Sequence, residues 1–260
     1  MLIKVIAAQI ELGRTLNLEE NLMIFKQRPD FVCLPEYFLV EKTSPDFARS
    51  ALKIRDNVQY LQTLSDGLST CLIGGSVVEA EGDSLYNSCY IFNRGQSIGR
   101  YRKLNPVEGE MNKGILPGDR IFSAVIEDVR VAVLICADAL NIGIFEELAR
   151  HKIDIIFIPT TSPFRPGETR LEKFKRDNDI YVRGAEVSSS YIVKCCGIGT
   201  LFGKKLQGRS LVASPWGIIR RVEPHAEQSE SLMSLVLDIE ELRDFRNKKK
   251  RAPAGSKVSK

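Results

Sequence analysis

Apolar and polar positions along this chain follow two periods, and the switches between them mark out its elements. Alternation or an unbroken apolar run marks strands at residues 2–8, Phe31-Val32-Cys33-Leu34, 71–78 and 87–102. Two runs, Val131-Ala132-Val133-Leu134-Ile135-Cys136 and Asp154-Ile155-Ile156-Phe157-Ile158, are apolar throughout their length, the signature of strands covered on both faces. Further strands are expected near 190–196, 209–214, 217–221 and at Leu235-Val236-Leu237. Spacings of three and four mark helices. Phe47, Ala51, Ile54, Val58 and Leu61 predict one amphipathic helix with Ser44-Pro45 as its cap and first turn. Asn17-x-x-Glu20 has the form of a capping box and predicts a helix reaching about residue 28. Helices are also expected near 142–150 and over 169–187, and a loop rich in Pro and Gly over 104–119.

Strands and helices alternate without a break in composition as far as residue 242. This predicts one α/β domain over 1–242, in which helices cover a mixed sheet or a pair of sheets. Residues 243–260 carry eight Lys or Arg against one Asp and are expected to form a basic, disordered tail. The net charge of +4 therefore resides in the tail and leaves a mildly acidic body, which argues against a nucleic-acid surface. No apolar stretch approaches the roughly 18 residues of a membrane span. Met1-Leu2-Ile3-Lys4 opens a strand without a signal pattern, so a cytoplasmic protein with no membrane contact is expected. The six cysteines show no C-x-x-C spacing and read as reduced, packed thiols, not as a disulfide framework or zinc site. Cys195 and Cys196, adjacent in an extended chain, are expected on opposite faces.

Three strand-like runs end in reactive side chains: Glu36 after Phe31 to Pro35, Lys103 after the meander, and Cys136. Taken singly, a buried cysteine, a Glu after a proline and a lysine on a basic edge are ordinary structural residues. Strand ends on one rim of a sheet converge, however, and this set is chemically complete. A thiol needs a base, a carboxylate in a partly desolvated pocket can take its proton, and a fixed ammonium can stabilise the oxyanion formed when sulfur adds to a carbonyl. A cysteine–histidine hydrolase fits poorly, because His151 and His225, the only histidines, lie in polar surface contexts. A glycosidase pair of Glu36 and Glu110 leaves Lys103 and Cys136 without a role. Tyr37-Phe38 and the loop from Thr160 to Gly167 are candidate pocket walls, with Arg165 a candidate partner for a substrate carboxylate.

Leu34-Pro35-Glu36, Gly99-Arg100-Tyr101-Arg102-Lys103-Leu104 and Leu134-Ile135-Cys136-Ala137-Asp138 resemble the three ordered catalytic motifs of the carbon–nitrogen hydrolase (nitrilase) superfamily. Tyr86-Asn87-Ser88, Pro117-Gly118-Asp119, Ile158-Pro159-Thr160, Arg183-Gly184-Ala185-Glu186, Gly208-Arg209-Ser210 and Pro215-Trp216-Gly217 extend the resemblance over nearly the whole body. It implies an α/β fold, a four-layer αββα sandwich of two mixed sheets covered by helices, paired with further copies into a homodimer or larger homo-oligomer. It also implies hydrolysis of a non-peptide C–N bond in a small amide or ureido substrate, with no metal or organic cofactor. By the same resemblance Glu36 is general base, Lys103 oxyanion stabiliser and Cys136 the nucleophile that forms a thioester. A second glutamate is expected in the loop after the lysine, where Glu108 and Glu110 compete and spacing favours Glu110. Tyr37, Ala137 and Thr161 are expected to contact substrate.

The departures from the family pattern refine this. Nitrile-cleaving members commonly carry Trp-Glu after the cysteine, whereas Ala137-Asp138 stands here and tilts the expectation towards amides or N-carbamoyl groups. A nitrilase and a non-catalytic relative that binds a small amide or a protein partner are the alternatives. Ala139 to Gly143 lacks the Arg-x-Pro-Glu pattern of many relatives, and Lys194-Cys195-Cys196-Gly197 replaces an Asn-containing segment.

Overall fold

A computed structural model describes residues 1–251. The first sheet is built from β1 (Leu2–Gln9), β2 (Phe31–Cys33), β3 (Cys71–Ile73), β4 (Val77–Glu81), β5 (Ser84–Asn93), β6 (Gln96–Arg102) and β7 (Ile115–Leu116). The second holds β8 (Phe122–Ile126), β9 (Val129–Val133), β10 (Ile155–Thr160) and β11 (Tyr191–Cys196). A small hairpin, β12 (Thr200–Leu201) and β13 (Lys204–Lys205), follows, then β14 (Leu211–Ser214), β15 (Gly217–Arg221) and β16 (Ser231–Asp238). Strand order is β16-β1-β2-β3-β5-β4 in the first sheet, with β6 and β7 also on β5, and β15-β14-β11-β10-β9-β8 in the second. Both sheets are mixed: β1, β2 and β3 are parallel, as are β9, β10 and β11, with antiparallel partners outside them.

The period of two decides how the layers stack. Val5, Ala7, Phe31, Cys33, Cys71 and Ile73 face the second sheet, while the intervening Ile6, Ala8, Val32, Leu34 and Leu72 face helices. Phe31 meets Phe157 across the two sheets at a centroid distance of 5.4 Å, and the Cys195 thiol donates to the Cys33 carbonyl at 3.0 Å. Helices α1 (Leu18–Gln27), α2 (Phe47–Ala51) and α3 (Ile54–Gly67) precede β3, α4 (Glu108–Met111) lies in the 104–119 loop, and α5 (Ile142–Arg150) follows β9. Helix α6 (Arg170–Asp177) runs through a π turn, Asn178–Val182, into α7 (Arg183–Ser188), and α8 (Ile239–Arg251) ends the described chain. Leu61, Leu64 and Leu68 pack on the outer face of the first sheet, and Phe145, Leu148 and Ala185 join the core that includes the second. The result is a four-layer αββα arrangement.

Four expectations need correction. The helix expected from Ser44-Pro45 is two, because Asp46 takes the cap through Arg49 N at 2.7 Å and the chain breaks at Leu52-Lys53 before α3 begins. The 169–187 helix is interrupted by the π turn. The strand expected to end in Cys136 stops at Val133, although Leu134 and Ile135 remain fully buried between layers, which is why the apolar run continues. Residues 243–251 are helical instead of disordered. Ile239 and Leu242 are buried in the core, and Arg243 and Arg246 pair with buried Asp154 at 2.7 and 2.8 Å, so these basic residues serve the fold. Residues 252–260 of the expected tail lie outside the described residues. Cys195 and Cys196 do face opposite ways, yet both are fully buried because layers cover both sides of β11. No helix among the described residues is long and apolar enough to cross a membrane.

Candidate active site

Glu36 and Cys136 each stand three residues beyond the end of a parallel strand, β2 and β9, and Lys103 follows β6 directly. The Glu36 turn is set by a close approach of backbone. Gly75 has φ +66°, and a Cβ there would lie 2.1 Å from the Pro35 carbonyl oxygen, while Ser76 donates its N–H to that same carbonyl at 3.2 Å. Gly75→Ala is therefore expected to displace the Glu36 turn. We expect kcat/KM to fall roughly 100-fold, the cost of about 1 Å of misplacement, in steady-state assays of a variant that still unfolds cooperatively.

Cys136 opens a 3-10 turn, Cys136–Leu140, with φ +47°, a left-handed backbone uncommon outside glycine. Asp138 holds this elbow. Its fully buried carboxylate accepts from Ile135 N at 2.9 Å, Tyr101 Oη at 2.7 Å, and Asn105 N and Nδ2 at 2.7 and 3.0 Å. Burial raises the Asp138 carboxyl above its ordinary value, and these hydrogen bonds oppose the rise. Asp138→Ala would orphan all of these donors, so a stability loss of about 3 kcal/mol is expected, measurable by urea denaturation.

Glu36, Lys103 and Glu110 meet in one buried cluster, and Cys136 is joined to it through Thr161. Lys103 Nζ lies 2.8 Å from Glu36 Oε1 and 2.7 Å from Glu110 Oε2. Asn87 Nδ2 donates to Glu36 Oε1 and Glu110 Oε1, both at 2.9 Å. Glu110 also accepts from Tyr37 Oη at 2.5 Å and Val107 N at 2.8 Å. Thr161 closes the other side. Its N–H and hydroxyl donate to Glu36 Oε2 at 2.8 and 2.5 Å, and its carbonyl accepts from the Cys136 thiol at 3.4 Å.

Electrostatics follow from burial and these contacts. Burial opposes the Lys103 charge, but Glu36, Cys136 and Glu110 outweigh it and hold the ammonium above its ordinary value. Burial would raise Glu110, yet the Lys103 charge and hydrogen bonds from Lys103, Tyr37 and Val107 hold it below the usual carboxylate range. Burial pushes the Cys136 thiol up, Glu36 adds to this, and Lys103 offsets it only in part. These influences keep the Cys136 thiol protonated at rest.

Among the sequence candidates, Glu36, Lys103, Cys136, Glu110, Tyr37 and Thr161 come together, while Glu108 is exposed to solvent. Ala137 is half-buried beside the nucleophile. Tyr37 is buried against Glu110 and does not form an open pocket wall, and Phe38 packs away from the site towards Tyr60. Arg165, His151 and His225 are exposed. Sequence reasoning missed the bridging of Asn87 and the clamp of Asp138, although both stand within motifs that it singled out. Among the described residues no group of three or more His, Cys, Asp or Glu side chains is placed to hold a metal ion.

Comparison with known proteins places this geometry. The human omega-amidase NIT2 is 26% identical over 238 residues, covering 85% of this chain and 80% of that protein. A carbon–nitrogen hydrolase from Helicobacter pylori G27 superimposes with a TM-score of 0.80 at 16% identity, over 95% of this chain and 93% of that one. An amidase mutant from Nesterenkonia sp. AN1, in which the acetamide moiety of fluoroacetamide is attached covalently to the active-site cysteine, gives a TM-score of 0.74 at 15% identity, over 96% and 95% of the two chains. The family model for carbon–nitrogen hydrolases matches residues 5–247. With Cys136, Lys103 and Glu36 on converging strand ends of a two-sheet α/β fold, this chain belongs to the carbon–nitrogen hydrolase family.

Proposed function

We propose that this protein hydrolyses the C–N bond of a small amide or N-carbamoyl compound through a thioester on Cys136. The observation that carries the reading is the half-buried junction at Thr161, which holds the Glu36 carboxylate through two donors and the Cys136 thiol through its carbonyl. Base and nucleophile are thereby positioned by one residue, with the Lys103 ammonium beside the base.

Glu36 takes the thiol proton as sulfur adds to the substrate carbonyl carbon, and the carbonyl electron pair moves to oxygen, where Lys103 stabilises the charge. The tetrahedral adduct collapses, the C–N bond breaks, and Glu36 returns the proton to the departing nitrogen. Water then adds to the thioester, giving a proton to Glu36, and sulfur leaves to recover that proton as the acid departs. Glu110 accepts from Lys103 and Tyr37, so it fixes the ammonium and never needs to exchange a proton. The covalent adduct on the cysteine of the Nesterenkonia amidase and the amidase name of the human relative support an amide reading, as does Ala137-Asp138 in place of the residues common in nitrile-cleaving enzymes.

The test is ammonia release over a panel of short amides, N-carbamoyl amino acids and nitriles. Release from an amide or ureido compound that disappears in Cys136→Ala is the expected result. Activity confined to nitriles, or no Cys136-dependent release, overturns it.

A further inference from the structure

Residues of α6 and β15 enclose a cavity of about 600 Å³ with three arginines on its walls, Arg170, Arg220 and Arg221. Glu223 is the one carboxylate among the lining residues. It is exposed and pairs with none of the three arginines among the described residues. Arg220 gives Nη1 to the Ser234 carbonyl at 3.1 Å, and the Arg170 guanidinium has no hydrogen-bonding or ion partner among the described residues. Arg221 is the informative member. Its side chain is only 17% exposed, and its Nη1 is buried without an acceptor. The nearest carboxylate oxygen, Asp177 Oδ2, lies 3.7 Å away and is already held by Arg209 Nη2 at 2.7 Å, while Lys194 approaches Asp177 Oδ1 at 3.7 Å. One carboxylate is thus shared by three cations.

A guanidinium carries five N–H donors and stays charged in a protein, so donors withdrawn from water without acceptors destabilise the site that holds them. Burial lowers the Arg221 guanidinium; Asp177 and Glu223 oppose the fall, while Arg209 and Arg170 add to it. Phe174 sets the geometry of the pair. The guanidinium carbons of Arg221 and Arg170 lie 3.9 and 5.0 Å from the centroid of its ring. Stacking engages the flat face of a guanidinium and leaves its in-plane N–H edge for an acceptor. Two such edges therefore belong to one ring at one cavity. A carboxylate has two oxygens and satisfies one fork, whereas a phosphate group has enough oxygens to bridge two. Ile218 and Ile219 add apolar surface beside the arginines.

We propose that this cavity binds a phosphate group, free or carried as the monoester of a small apolar moiety, bridged by Arg170 and Arg221 with Arg220 at its rim. The site is separate from the catalytic cluster: no residue on its walls hydrogen-bonds to Glu36, Lys103, Glu110 or Cys136 among the described residues. It stands whether or not the amidase reading holds.

Calorimetric titration of the full chain with inorganic phosphate and with phenyl phosphate, at an ionic strength held constant with sodium chloride, tests it. Saturable binding at one site is expected. Tighter binding of phenyl phosphate assigns an ester as the ligand, and equal affinity assigns the free ion. Arg170→Gln and Arg221→Gln should each weaken binding at least about 10-fold, the scale of one hydrogen bond to a charged group. Arg55→Gln, which removes the same charge from an exposed position on α3, should leave it unchanged. Arg170 is exposed, so its variant decides the matter even if Arg221→Gln does not fold. Absence of saturable binding by either compound overturns the proposal. Binding that survives Arg170→Gln unchanged, or that Arg55→Gln weakens as much, overturns it too.

Discussion

Lys103→Met is expected to lower kcat/KM about 100- to 1000-fold, the effect of deleting one oxyanion donor in the proposed mechanism, and to destabilise the fold by about 3–5 kcal/mol, because a buried pair loses one partner. The more diagnostic result is a reversal in pH dependence. In the wild-type protein Glu110 is held below its ordinary value, so its contribution to stability is present above the unfolded-state carboxylate range near about 4.3 and is lost as pH falls through the lower folded value. Lys103 is held above its ordinary value, so its contribution is present below about 10.4 and is lost as pH rises through the folded value. Between these limits the cluster favours folding. Methionine leaves Glu36 and Glu110 buried 1% and 6% exposed with no cation between them. For Glu110, desolvation, the largest influence on it, is then no longer outweighed, so its folded carboxyl binds a proton more tightly than the unfolded one and its contribution to stability is present at low pH and lost as pH rises. Urea midpoints at about pH 4 and pH 8 separate the two cases. A variant that gains stability from pH 4 to 8, as the wild-type protein should, contradicts the assignment of Lys103 as the compensating charge.

Much of this organisation was legible because strand ends advertise themselves. Phe31 to Leu34 alternates between two cores, so Glu36 had to emerge at a rim, and Lys103 directly follows Arg102, where β6 ends. The choice of Glu110 over Glu108 was open in sequence and rests in the structure on one turn of helix: Glu110 is the third residue of α4, where its carboxylate reaches back to Val107 N and across to Lys103, while Glu108 faces water. Other features had no local signal. Asn87 reaches Glu36 across 51 residues and Tyr101 reaches Asp138 across 37, so their roles exist only once the sheets are folded. The break between α2 and α3 at Leu52-Lys53 was hidden because the apolar spacing continues through it. The helical end at 243–251 was hidden by its charge, since Arg243 and Arg246 find their partner Asp154 some 90 residues away.

Glu36→Gln should trap the reaction on one thiol of six. A general base in both half-reactions is worth about 100- to 10,000-fold, so acylation and thioester hydrolysis should both slow, and an acyl enzyme should persist long enough for intact-mass and peptide mapping. Glutamine keeps one acceptor for Lys103 and Asn87, but its amide nitrogen then faces the N–H and hydroxyl of Thr161, which are donors. A stability cost of about 1–3 kcal/mol accompanies the substitution for that reason, and a denaturation curve separates it from the catalytic loss. The label should fall on Cys136. Cys33, Cys71, Cys89, Cys195 and Cys196 are buried, whereas Cys136 is the partly exposed thiol, three residues past β9 and hydrogen-bonded to the residue that holds Glu36. Cys136→Ala should show neither adduct nor turnover while retaining its fold. An adduct on any of the other five cysteines, or wild-type rates of acylation in Glu36→Gln, would remove Glu36 and Cys136 from the roles assigned to them.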